Sequence, residues 1–131
     1  MSDEIYEHIL FDNQTFLSFA KVCPALHERV LTVNGVSKAY AMTGWRLGYG
    51  AGSKTLIAGM TKVQSQVSSA PCSIAQAAAA EALNGPQNDV ETFRLEFERR
   101  RDLVVSRIAK IDGLTLVSPC LLYTSPSPRD S

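Results

Sequence analysis

The sequence predicts an α/β fold. Two short segments with strand character, residues 29–35 and 45–52, are followed by three segments whose apolar residues recur at helical spacing. A series of alternate glycines, Gly44, Gly48, Gly50 and Gly52, marks the second strand as one that packs closely against another backbone. With 131 residues, 45% of them hydrophobic and 20% charged, the chain has the make-up of a packed domain and not of a disordered polymer.

Each element has its own signal. Residues 2–12 mix acidic and apolar positions without a preceding apolar strand, so the chain reads as entered midway. Residues 29–35 are rich in β-branched side chains and close on Asn34-Gly35, delivering the chain into a loop that carries Ser37 and Lys38. Over residues 54–67, Leu56, Ile57, Met60, Val63 and Val67 line one face of an amphipathic helix, and Pro71 should follow its end. Ser73 is the expected N-cap of a helix over residues 74–83, where Ala75 and residues 77–80 combine high propensity with small side chains. Asn84-Gly85-Pro86 breaks it. Pro86 then suits the first turn of a long helix with Val90, Phe93, Phe97, Val104, Ile108 and Ile111 on one stripe, ending by Gly113. Residues 114–117 read as a short strand. From Cys120 the chain turns Ser/Pro-rich and loses all periodicity, which predicts a disordered or foreign tail over residues 120–131.

Composition excludes several classes of function. Lys and Arg total 13 and Asp and Glu total 13, so a net charge of zero leaves no footprint for nucleic acid or anionic lipid. No window reaches the apolar length that spans a bilayer, and Met1-Ser2-Asp3-Glu4 opens with acids where a secretory signal carries basic residues. No membrane association is expected, and the expected location is the cytoplasm. Cys23, Cys72 and Cys120 are odd in number and far apart, which fits neither a disulfide framework nor a zinc site. His8 and His27 are the only imidazoles, so no metal site is expected, and both histidines read as structural or solvated. The run Arg99-Arg100-Arg101, beside Glu96 and Glu98, reads as the solvated face of the long helix.

The chemically informative stretch is Ser37-Lys38-Ala39-Tyr40-Ala41-Met42-Thr43-Gly44-Trp45-Arg46-Leu47-Gly48, preceded by Asp3-Glu4-Ile5-Tyr6 and followed by Pro71-Cys72-Ser73-Ile74-Ala75-Gln76-Ala77-Ala78. Together these resemble the lysine region of class I/II pyridoxal-phosphate-dependent aminotransferases, most closely those of the prokaryotic aspartate type, over about residues 1–119. The resemblance implies a fold-type-I transferase. It divides the chain into the back part of the cofactor-binding large domain (1–85), a linking helix with the start of the small domain (86–119) and the tail (120–131).

The same resemblance implies pyridoxal 5′-phosphate as cofactor, amino acids and 2-oxo acids as substrates, and a homodimer. Lys38 resembles the lysine that holds the cofactor's aldehyde and then serves as the base at the substrate Cα, an amine suited to both tasks. Taken alone it would be a solvated loop lysine. Arg46 resembles the arginine that grips the cofactor phosphate, which a planar guanidinium matches bidentately. Ser37 is a candidate further donor to that phosphate. Asp3 and Tyr6 follow the family's Asp-x-x-Tyr pattern, in which the carboxylate pairs with the protonated ring nitrogen and the phenol donates to the ring's 3′ oxygen. Without the pattern, Asp3 would read as a helix cap and Tyr6 as a half-buried aromatic. Trp45 and Tyr40 are assigned to packing.

Family members are considerably longer. Their N-terminal glycine loop, ring-stacking aromatic, asparagine near the 3′ oxygen and C-terminal substrate arginine have no counterpart among these residues, so the chain is expected to be a fragment and inactive by itself. The lysine region also leaves open a lyase or decarboxylase of the same superfamily, or an aminotransferase-like sensor domain of a transcription regulator.

Overall fold

The computed structural model describes residues 1–121. Strand β1 (Ser2–Asp3) runs parallel to β2 (Thr32–Gly35), with Ser2 opposite Thr32 and Asp3 opposite Val33. Strand β3 (Gly48–Ala51) pairs antiparallel to β2, from Thr32 against Ala51 to Gly35 against Gly48, giving the order β1-β2-β3. Polar Ser2–Asp3 has no strand periodicity of its own; it is extended because β2 offers it a ladder.

The observed second strand is shorter than residues 45–52. Thr43–Trp45 form a 3-10 turn and Arg46 adopts the left-handed conformation (φ 53°, ψ 51°), so regular pairing starts only at Gly48. Between β1 and β2 lie a single helical turn, α1 (Phe19–Val22), and a 3-10 helix, Pro24–Arg29, neither of which the pattern predicts. Helix α2 (Lys54–Val67) matches its expected span and is capped by Ser53, whose Oγ accepts from the Leu56 N–H at 3.4 Å. Helix α3 is Ser73–Asn84 and α4 is Asn88–Ile108. Cys72, not Ser73, is the N-cap of α3, with extended backbone and no side-chain capping bond. Residues 114–117 form no strand, since they find no ladder partner among the described residues.

The chain divides into two units. The first, residues 1–5 and 17–87, contains the sheet, α1, α2 and α3, with Val30, Val36, Ala39, Ala75 and Ala79 buried. No residue of α2 is fully buried: Ile57 is half-buried, while Met60 is 40%, Val63 64% and Val67 78% exposed.

The second unit, residues 6–16 and the chain from Asn88 on, is organised by arginines of α4. Arg94 bonds Glu91, Glu98 and the Leu10 carbonyl. Arg101, whose side chain is only 7% exposed, makes two 2.7 Å bonds to Asp12, donates to the Pro119 carbonyl at 2.9 Å and lies 4.9 Å from the centre of the Phe11 ring. The arginine run is therefore not uniformly a solvated face: Arg99 and Arg100 are exposed and pair with Glu96, while Arg101 is turned inward. Cys120 and Leu121, expected to belong to the tail, are tied to this unit. The Phe11 N–H donates to the Cys120 carbonyl at 2.9 Å, and Leu121 forms a bridge with Leu10. The rest of the expected tail, residues 122–131, lies outside the described residues.

Among the described residues, no helix is long and apolar enough to cross a membrane and no cluster of three metal-ligating side chains occurs.

Candidate active site

Sheet topology decides where the candidate residues go. Because β1 and β2 are parallel, their C-terminal ends share one edge of the sheet, and because β3 is antiparallel to β2 it re-enters from that same edge. Asp3 is the last residue of β1. Ser37, Lys38 and Arg46 all lie in the connection between β2 and β3, residues 36–47. Four of the five candidates therefore gather at the carboxyl edge of the sheet, the place where open α/β folds bind ligands. Tyr6 belongs to the second unit, where its carbonyl accepts from the Ile9 N–H at 2.9 Å.

The connection is held at several points. Val36 (fully buried) and Ala39 (3% exposed) flank Ser37 and Lys38, which are themselves half-buried, so the lysine is carried on an anchored segment. The Ala41 N–H closes a turn onto the Lys38 carbonyl at 3.2 Å, and Ala41 takes a positive φ of 53°. Arg46 also has positive φ, and its Nη1 donates to the Thr43 carbonyl at 3.0 Å. A left-handed conformation at a residue with a side chain costs about 1–2 kcal/mol, and such positions concentrate where a side chain has to be aimed.

The junction of β2 and β3 is equally constrained. A Cβ on Gly35 would stand 3.0 Å from both the Gly48 Cα and the Leu47 carbonyl oxygen, so a side chain there would press on the backbone that enters β3. The Asn34 side chain, buried with its strand end, accepts from the Gly35 N–H at 2.7 Å. Asp3 is exposed, and its Oδ1 accepts from the Ile5 N–H at 3.2 Å, an Asx-type turn that orients the carboxylate.

One participant escaped the sequence reading. Glu4 is 5% exposed, and its Oε1 accepts from the hydroxyls of Ser2 and Ser18 at 3.0 Å each and from the Phe19 N–H at 3.1 Å. No local pattern signals it, because two of the three donors lie 14 and 15 residues away.

Comparison with known proteins identifies the family of the chain. The model of the family "Aminotransferase class I and II" matches residues 1–126, and the chain belongs to that family. It is 59% identical over 111 residues to a "Probable aspartate/prephenate aminotransferase" of Rickettsia typhi, covering 85% of this chain and 28% of that protein. It is 56% identical over 119 residues to the "Aspartate/prephenate aminotransferase" of Cereibacter sphaeroides, covering 91% of this chain and 30% of that protein. The crystal structure of the aspartate aminotransferase from Rhizobium meliloti superimposes with a TM-score of 0.89 at 52% identity, covering 92% of this chain and 30% of that one. The chain thus spans under a third of the length of these relatives, and its α/β architecture is that of part of a fold-type-I aminotransferase.

Proposed function

We propose that this chain carries the cofactor-lysine segment of a pyridoxal 5′-phosphate-dependent aminotransferase, which moves an amino group between an amino acid of the aspartate type and a 2-oxo acid. The observation that supports this most directly is the donor set at the carboxyl edge of the sheet. An amine (Lys38), a guanidinium (Arg46), a hydroxyl (Ser37) and a carboxylate (Asp3) are delivered there by one anchored connection and one strand end. Those four groups match an aldehyde, a phosphate dianion and a basic ring nitrogen, so the residues present fit the cofactor.

When bound, the cofactor supplies an electron sink. Lys38 Nζ would hold the cofactor through its aldehyde and is the amine placed to take the proton from the substrate Cα. Arg46 would hold the phosphate with its guanidinium, with Ser37 Oγ as a further donor. The Asp3 carboxylate would keep the ring nitrogen protonated, since a neighbouring negative charge favours the cationic form. For Tyr6, which belongs to the second unit, the resemblance alone implies a phenol donor to the ring's 3′ oxygen. In this reading the functional protein is a cytoplasmic homodimer; the unpaired thiols of Cys23, Cys72 and Cys120 accord with a reducing compartment.

The test is borohydride reduction of the full-length gene product with pyridoxal phosphate, followed by peptide mass mapping. The label is expected on Lys38, and Lys38→Ala should abolish turnover. Label on Lys54 or Lys62 would refute the assignment.

A further inference from the structure

Asp3 is fastened on both sides by residues whose own side chains lead elsewhere. The N–H groups of Ser2 and Glu4 donate to the Leu31 and Val33 carbonyls at 2.8 Å each, which locks the backbone around Asp3 to β2. Side chains alternate across a strand, so Ser2 and Glu4 share one face and Asp3 takes the other. On their face the Glu4 carboxylate is buried and gathers three donors on Oε1, two hydroxyls and the Phe19 N–H. The first N–H groups of a helix have no partner within it, and Phe19 opens α1, so Glu4 ties β1 directly to the start of that turn.

A buried carboxylate is an expensive way to fill space. Desolvation opposes it, and an apolar side chain of similar volume would pack at lower cost unless the directional bonds themselves are needed. Here the bonds join two segments and hold the strand end whose opposite face presents the exposed Asp3.

We infer that Glu4 is a positioning residue: by bonding Ser2, Ser18 and Phe19 it fixes the strand end from which Asp3 meets the cofactor's ring nitrogen. The inference rests on the role proposed above for Asp3.

The experiment compares Glu4→Ala, Glu4→Gln, Ser18→Ala and Asp3→Asn in the full-length protein. It measures the dissociation constant for pyridoxal phosphate, the pH midpoint of the bound cofactor's visible absorption, and the melting temperature without cofactor. Glu4→Ala should raise the dissociation constant on the order of tenfold, as loss of a supporting shell does, and shift the spectral midpoint in the same direction as Asp3→Asn. Glu4→Gln keeps an acceptor oxygen and should stay within about twofold of the parent. Should Glu4→Ala fail to fold, Ser18→Ala, which removes one of the three bonds, must still shift the midpoint in that direction. A Glu4→Ala protein that melts earlier but keeps the parental midpoint and affinity would make Glu4 merely structural and overturn the inference. If Asp3→Asn shifts neither quantity, the reading of Asp3 fails instead, and this inference fails with it.

Discussion

Gly35 and Gly48 face each other where β2 and β3 begin to diverge, and no room for a methyl group exists between them: a Cβ on Gly35 would lie 3.0 Å from the Gly48 Cα. Everything carried by residues 36–47 hangs from this pair.

Gly35→Ala should therefore force backbone and not just a side chain to move, because the Leu47 carbonyl is also 3.0 Å away. Overpacking of this kind costs about 1–3 kcal/mol. Cofactor affinity should fall as well, since both ends of the Lys38 and Arg46 connection shift. Gly44→Ala is the control, because a Cβ there meets nothing within 4 Å. Denaturant midpoints and cofactor binding check both; equal behaviour of the two variants would remove the argument.

Ala41 and Arg46 hold left-handed backbone at the two bends of the same connection. Ala41→Gly should stabilise the protein, with a ceiling of about 1 kcal/mol because glycine also gains freedom in the unfolded chain. At position 46 the two roles separate. Arg46→Ala and Arg46→Gly should weaken cofactor retention alike, having both lost the guanidinium, while the glycine variant melts higher than the alanine one by the relieved strain. Paired melting and binding curves decide this, and a higher melting point for Arg46→Ala would show that the backbone there is not strained.

The candidate residues and part of the fold could be read from residue types and order. Lys38 and Arg46 could be read from a motif in which spacing carries the information, and α2 could be read from Leu56, Ile57, Met60, Val63 and Val67 because a helix writes its period into consecutive residues. What escaped depends on partners distant in sequence. Ser2–Asp3 becomes a strand only beside Thr32–Val33, and Glu4 acquires its role only from Ser18 and Phe19. Residues 45–47 carried a strand pattern, yet the bend at Arg46 overrode it. Residues 114–117 show the converse: strand composition without a neighbouring ladder yields no strand among the described residues.

Acid should loosen the second unit. Hydrogen bonds from Arg101 lower the pKa of Asp12 from the ordinary 3.8, those from Arg94 lower Glu91, and the Asp12 N–H together with Arg94 lowers Glu98. Bonds from Arg99 and Arg100 take Glu96 from 4.5 to about 2. Folded values below unfolded ones mean that each contribution is complete above the ordinary carboxylate pKa and is lost as pH falls through the folded one. Helicity of α4 should thus decline below about pH 4, and 1 M salt should blunt the effect because these carboxylates are solvent-accessible. Glu96→Gln should remove the part of a circular-dichroism titration that lies near pH 2. Arg101→Met should destabilise the unit at neutral pH by about 1–3 kcal/mol, since the Pro119 carbonyl and Asp12 lose their donor together. Stability that rises on acidification would contradict the whole scheme.

The 131-residue chain by itself is expected not to catalyse amino transfer. It spans 28–30% of the aminotransferases it resembles, and the apolar face of α2 stands open, with Val63 64% and Val67 78% exposed. Lys38 and Arg46 supply an amine and a guanidinium, but catalysis requires every reacting group in place together, and misplacement by about 1 Å can cost on the order of 100-fold in rate. Open apolar surface of this kind also favours association, so low solubility should accompany the lack of turnover. The assay is purified chain with pyridoxal phosphate, an amino donor such as aspartate or glutamate, and 2-oxoglutarate or oxaloacetate as acceptor. Cofactor-dependent transfer that disappears on Lys38→Ala would show that these residues build a sufficient site alone; weak cofactor labelling of Lys38 without turnover is the outcome that its half-buried, anchored position leads us to expect.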